Sequence, residues 1–157
     1  MPLEDLSHVD EHVVDVAAPP AVAWAALLGV LRGTFGSAGA RAVAVALGCE
    51  PSTTSGWDRP DVGSTVPGFR VLTAEPPKLL VVAGRHRFSR YGIVVRLDPT
   101  AAGCRVRAET RAVFPGPHGA LYRLAVIGTG AHVVVTRRML RSAARAAEQR
   151  AAGTGSR

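Results

Sequence analysis

The chain has 157 residues, 47% of them hydrophobic, 20% charged and 5% aromatic, with a net charge of +7 carried by 18 Arg and a single Lys. That length suits one domain able to bury about 70% of the surface of its unfolded chain, and the balance of apolar and charged residues excludes wholesale disorder. The charge is uneven: residues 1–61 hold eight acids and three Arg, and residues 62–157 hold four acids and 16 bases. Its meaning depends on whether those arginines converge on a nucleic-acid or anionic surface.

The longest nearly uncharged runs, residues 17–31 and 124–136, fall short of the roughly 20 residues of a membrane-spanning helix, so no transmembrane segment is expected. The acidic start MPLEDLSHVDE is neither a secretory signal nor a transit peptide. Cys49 and Cys104 lack CxxC spacing, which argues against a disulfide framework or a thiolate metal site. These features together predict a cytoplasmic protein with reduced thiols.

Residues 8–16 (HVDEHVVDV) set Val9, Val14 and Val16 among acids and read as a first strand. Ala18-Pro19-Pro20 ends it, and the prolines suit the opening turn of a helix over 21–31. There Val22, Ala25, Ala26 and Gly29 share a face that Trp24, Leu27, Leu28 and Leu31 extend. A glycine-rich connection over 33–39 leads to a short helix at 41–47. Residues 50–68 form the longest structureless stretch, of a length that suits a lid or binding loop. Strands are predicted at 69–74, 79–88, 90–97 and 104–113, with turns at Pro76-Pro77, near Ser89 and over 98–103.

The last segment carries two conflicting signals. Gly128, Gly130 and many β-branched residues favour a strand, but the period is helical. At 100° per residue Leu121, Ala125, Thr129, His132, Thr136, Met139 and Ala143 fall on one stripe, opposite Arg123, Arg137, Arg141, Arg145 and Glu148. Periodicity predicts one long helix over 118–150. The expected organisation is a single domain over 1–150 and a disordered tail over 151–157.

Consecutive strands with short turns make an antiparallel meander that a terminal helix can cover, an α+β layout. The runs HVVDVAAPPAVAWAALL, PGFRVLTAEPPKLLVVAGRHRFSRYGIVVRL and FPGPHGALYRLAVIGTGAHVVVTRRML resemble the START-like, or Bet v 1-like, helix-grip superfamily, also called SRPBCC or polyketide cyclase-like. The resemblance spans about residues 8–145 and is greatest to a bacterial branch of uncharacterised function. It implies a curved antiparallel sheet wrapped around a long C-terminal helix, two short helices between the first two strands, and a pocket between sheet, helix and loops. The superfamily includes lipid carriers, hormone receptors, aromatases and cyclases, so fold likeness alone sets no activity.

Strand alternation sorts the arginines. Arg85, Arg87, Arg90, Arg96, Arg105, Arg107 and Arg111 point away from the apolar face, and Arg137, Arg138, Arg141, Arg145 and Arg150 lie outside or near the end of the terminal helix. This describes a basic exterior. It lacks the aromatic residues that single-strand binders interleave with their cations, so no specific nucleic-acid partner is expected. Arg70 and Arg123 fall near the ends of the expected pocket, where an acidic ligand would meet them.

The inward face carries His86, Phe88, Tyr91 and Thr110 among aliphatics, with Tyr122, Thr129 and His132 on the helix and Trp57 and Phe69 on or beside the covering loop. An apolar concavity with a few convergent polar groups suits a small hydrophobic ligand, lipid or polyketide-like. The alternative is a cyclase, aromatase or dehydratase-type enzyme in the same pocket. In that case a His86/Tyr91 or His132/Tyr122 pair would act as acid and base on an enolisable ketone. Each histidine also has a plain reading as a core residue satisfied by the main chain.

The histidines show no HxxH or HExxH spacing and no GxGxxG loop is present, so no metal and no cofactor is implied. Ile127 and Val134, on the polar side of the terminal helix, are candidates for a homodimer interface.

Overall fold

The computed structural model describes residues 3–155. A short 3-10 turn (Leu3–Asp5) precedes strand β1 (Ser7–Val16) and helices α1 (Pro20–Phe35) and α2 (Ala38–Leu47). Strands β2 (Thr65–Val66), β3 (Phe69–Glu75), β4 (Leu79–His86), β5 (Ser89–Thr100) and β6 (Gly103–Val113) follow. Helix α3 (Gly116–Arg123), a π turn (Leu124–Gly128) and helix α4 (Ala131–Thr154) complete the chain. The strands form one curved antiparallel sheet in the order β1-β6-β5-β4-β3-β2, with α4 packed on α1 and β1. This is the expected α+β helix-grip architecture, with α1 and α2 between the first two strands.

Local chemistry accounts for the element ends. Proline opens α1, where its missing N–H costs nothing. The Ser37 hydroxyl caps α2 by accepting from the Ala40 amide at 3.2 Å, and Gly48 closes α2 in the left-handed conformation at φ 68°. The core lies between the inner face of the sheet and the two long helices. Leu80, Val82, Leu97, Val106 and Ala108 meet Trp24, Leu27 and Leu31 of α1 and Leu140, Ala143, Ala144 and Ala147 of α4. The small side chains of α4 allow it to approach closely.

Three expectations need correction. The single helix over 118–150 is broken at Gly128-Thr129-Gly130, where Gly130 takes φ 75° and the axis bends by 51°. The second glycine adopts a conformation a helix cannot contain, so the stripe read across it does not hold. Leu121 therefore faces outward, 67% exposed. At the other end α4 runs on to Thr154, past the expected boundary at residue 150, and of the expected tail Ser156 and Arg157 lie outside the described residues. The loop over 50–68 is not a free lid. Its main chain pairs Glu50 with Arg85 and Ser55 with Thr65, and Trp57 is buried in the core.

Most of the sheet arginines lie as alternation predicts. Arg85, Arg90, Arg96, Arg105 and Arg107 are exposed on the outer face, where Arg105 pairs with Asp15 and Arg107 with Asp98, and Arg111 is half-buried against Glu109. Arg87 departs from the pattern: it lies in the turn after β4, beside Gly48 at the end of α2. Among the described residues no single helix is long and apolar enough to cross a membrane.

Candidate ligand-binding site

A cavity of about 520 Å³ lies between the inner sheet face and a wall built from α2, α3, the π turn and the start of α4. The sheet contributes Phe69, His86, Ser89, Tyr91, Ile93, Thr110 and Ala112, and the helical wall contributes Val43, Leu47, Tyr122, Val126, Ile127, His132 and Val135. Val43 and Val135 are 58% and 49% exposed, which places them at its mouth. The break in the terminal helix creates this space, because α3 and the π turn swing off the line of α4. The lining is mostly apolar; besides Thr34 of α1, its polar side chains form three stations.

The first station is His86 with Ser89, at the β4–β5 hairpin. The Phe88 amide donates to His86 Nδ1 at 3.1 Å, so in the neutral ring Nε2 carries the hydrogen and donates to Ser89 Oγ at 3.0 Å. Burial pushes the His86 pKa below its ordinary value and keeps it neutral. This tautomer has no lone pair facing Ser89, so the pair is not an activated nucleophile. Tyr122 stands edge-on to His86 at 4.7 Å and stacks on Phe88 at 5.6 Å, fixing α3 against the hairpin.

The second station is Tyr91, whose hydroxyl donates to the Gly68 carbonyl at 2.9 Å and lies 3.9 Å from Cys49 Sγ. Burial raises both the phenol and the thiol, so neither is ionised near neutrality. Neither tyrosine hydroxyl hydrogen-bonds a histidine among the described residues; His86 and Tyr91 meet only as rings, 5.4 Å apart. The expected His–Tyr acid–base pairs are therefore not formed.

The third station joins β1, β6 and α4. His132 Nε2 lies 3.2 Å from Thr110 Oγ1 and 3.5 Å from Asp10 Oδ1, and His12 Nε2 lies 3.0 Å from Asp10 Oδ2. Sequence reading singled out His132 and Thr110 and missed Asp10. The missed signal is one of phase: counting back in twos from Val16 reaches Val14, His12 and Asp10, and Val9 falls out of step at a bulge between His8 and Asp10.

Six of the nine sequence-predicted residues thus line one cavity: Phe69, His86, Tyr91, Thr110, Tyr122 and His132. Three do not. Trp57 is 4% exposed, its indole N–H bonded to the Leu28 carbonyl, and it borders a separate groove near Pro76 at the far end of the β3–β4 hairpin. Phe88 backs Tyr122 from outside the lining. Thr129 sits in the helix break with its hydroxyl donated to the Ala125 carbonyl at 2.6 Å. Arg70 lies on the outer face beside another groove, and Arg123 is exposed. Ile127 faces the cavity, which leaves Val134 outside at 57% exposure. No group of three or more His, Cys, Asp or Glu among the described residues is arranged to hold a metal ion.

No protein-family model matches the chain, and no curated protein matches it. Solved structures do. Protein CV1439 from Chromobacterium violaceum matches with a TM-score of 0.53 at 16% identity, over 90% of this chain and 99% of that one. Protein MLL2253 from Mesorhizobium loti matches with a TM-score of 0.53 at 18% identity, over 89% and 98%. The di-domain ARO/CYC protein StfQ from the steffimycin biosynthetic pathway matches with a TM-score of 0.59 at 16% identity, over 95% of this chain and 53% of StfQ. The helix-grip architecture is thus a fold shared with these solved structures.

Proposed function

We propose that the protein binds a small hydrophobic molecule, lipid or polyketide-like, in the cavity between the sheet and the C-terminal helix. The observation that carries this reading is a mostly apolar chamber of about 520 Å³ with only a few polar side chains in its wall. Apolar walls supply affinity, and isolated hydrogen-bonding groups fix orientation. A cytoplasmic location belongs to the same reading, supported by the free thiols Cys49 and Cys104.

Native mass spectrometry of protein purified from its own host tests this, together with uptake of the fluorescent probe 1-anilinonaphthalene-8-sulfonate. A retained hydrophobic mass and a probe signal lost on Val43→Asp substitution at the mouth are expected. Protein that carries no extra mass and takes up no probe would sink the reading.

A second reading, turnover of a polyketide-like substrate in the same chamber, draws support from the fold shared with the ARO/CYC protein StfQ. It draws further support from the third polar station.

A further inference from the structure

Asp10 and Thr110 are direct partners across the β1–β6 ladder, so their side chains stand side by side on the inner face. His132, in the first turn of α4, lies over both and lines the cavity together with Thr110. Asp10 stands behind them. One of its oxygens, Oδ2, is engaged by His12, while Oδ1 is buried with no hydrogen-bond partner. A buried carboxylate oxygen left that way is costly unless something turns to meet it. The group within reach is His132 Nε2 at 3.5 Å.

A carboxylate only accepts, so the tautomer that complements Asp10 carries its N–H on Nε2, within 3.5 Å of Oδ1 and 3.2 Å of Thr110 Oγ1, and has the lone pair of the neutral ring on Nδ1. Nδ1 takes no hydrogen bond among the described residues. The other cavity histidine is different. In His86 the Nδ1 lone pair is spent on the Phe88 amide and Nε2–H on Ser89, so it has nothing left for a ligand.

We propose that His132 and Asp10 form a proton-transfer dyad in the cavity wall, His132 being the acid–base group for an enolisable ketone and Asp10 its positioning residue. The proposal rests on the reading of the cavity as a ligand site. His132 Nδ1 takes a proton from the carbon beside the carbonyl. The C–H electron pair becomes the C=C bond of the enolate, and the carbonyl π pair moves onto oxygen. The Thr110 hydroxyl, accepting from His132 through its oxygen, keeps its own hydrogen to donate to that oxygen. Asp10 stabilises the imidazolium formed, and return of the proton to carbon restores the neutral ring.

The test is deuterium exchange at C2 of 1-tetralone in D2O, followed by proton NMR, with binding read separately by saturation transfer. General acid–base catalysis contributes ~100-fold or more, so wild type is expected to exceed the buffer rate by that factor and His132→Gln to fall back to it. Loss of a group that orients an imidazole costs roughly 10-fold or more, so Asp10→Asn is expected to slow exchange without weakening tetralone binding. Tetralone that binds but exchanges equally in wild type and His132→Gln overturns the dyad and leaves the ligand site standing. Tetralone that does not bind, in protein that still takes up the fluorescent probe, overturns the ketone dyad alone, and loss of both overturns the ligand site as well. Nitrogen-15 spectra of wild-type protein provide a check independent of any variant: an Nε2–H tautomer at His132 is expected, and an Nδ1–H tautomer overturns the proposal.

Discussion

The phenol of Tyr91 reaches across the sheet to the main-chain carbonyl of Gly68, 2.9 Å away, over the position where Gly84 has no side chain. Gly84 and Tyr91 are partners on β4 and β5, and a Cβ at Gly84 would run into the Gly68 oxygen. The missing side chain is what lets the chain before β3 descend onto the sheet and form one edge of the cavity. Gly84→Ala is therefore expected to destabilise the protein by about 1–3 kcal/mol, the range for overpacking a well-packed site. Gly33→Ala is the control. Nothing lies within 4 Å of a Cβ there, and in α1 the change should stabilise by up to ~1 kcal/mol. Urea midpoints that shift alike for both variants would contradict this account.

Burial raises the Tyr91 phenol far above its ordinary value of 10.0 and raises Tyr122, the protein's other tyrosine, in the same direction. A group whose folded pKa lies above its unfolded one contributes stability that is present below the unfolded value and lost as pH rises. Stability should thus decline once pH passes about 10, as the unfolded phenols ionise. Absorbance at 295 nm should show Tyr122 ionising above that pH and Tyr91 only with loss of the circular-dichroism signal. Ionisation of both tyrosines in folded protein at about pH 10 would refute it. Tyr91→Phe should cost about 1 kcal/mol at neutral pH and flatten the alkaline decline.

The sheet was legible because its residues obey a strict two-residue period. Arg105, Arg107 and Arg111 against Val106, Ala108 and Ala112 leave one choice of inner face, and the structure buries that set. His86, Tyr91 and Thr110 followed from the same alternation, Tyr122 and His132 from the terminal helix that meets it, and Phe69 from its place beside the long loop. Periodicity failed where the chain changes phase. A helical repeat counted through Gly128 and Gly130 cannot register a 51° bend, so it turned Leu121 inward and Ile127 outward, opposite to their places. The bulge in β1 hid Asp10 in the same way. Trp57 was unreadable for a different reason: in a loop without period, an aromatic can bury at either end of the sheet.

His86 gives a pH dependence on the acid side. Burial holds its folded pKa below the ordinary value of 6.5, so the unfolded chain takes up its proton first as pH falls. The contribution is present above pH 6.5 and is lost as pH falls towards the depressed folded value. The C2 proton of His86 should titrate with a midpoint below 6.5, and stability should fall across that interval. His86→Asn should flatten that fall. A midpoint at or above the ordinary value would mean that His86 is hydrated and that the hairpin end of the cavity stands open.

Trp57 fastens the long loop to α1, its indole N–H donating to the Leu28 carbonyl at 3.1 Å from a site that is 4% exposed. Two separable effects follow. Trp57→Phe keeps most of the buried ring and removes the hydrogen bond, at a cost of about 1 kcal/mol. Trp57→Ala leaves a void among Trp24, Leu28 and Pro76 and should cost about 3–5 kcal/mol, readable as a lower urea midpoint. The indole borders a groove at the opposite end of the β3–β4 hairpin from Gly68 and Tyr91. Trp57→Phe should therefore leave uptake of the fluorescent probe unchanged, whereas Tyr122→Ala, which removes a wall of the cavity itself, should weaken it. Equal loss of probe binding in the two variants would show that the loop and the cavity move as one unit, contrary to the separation described.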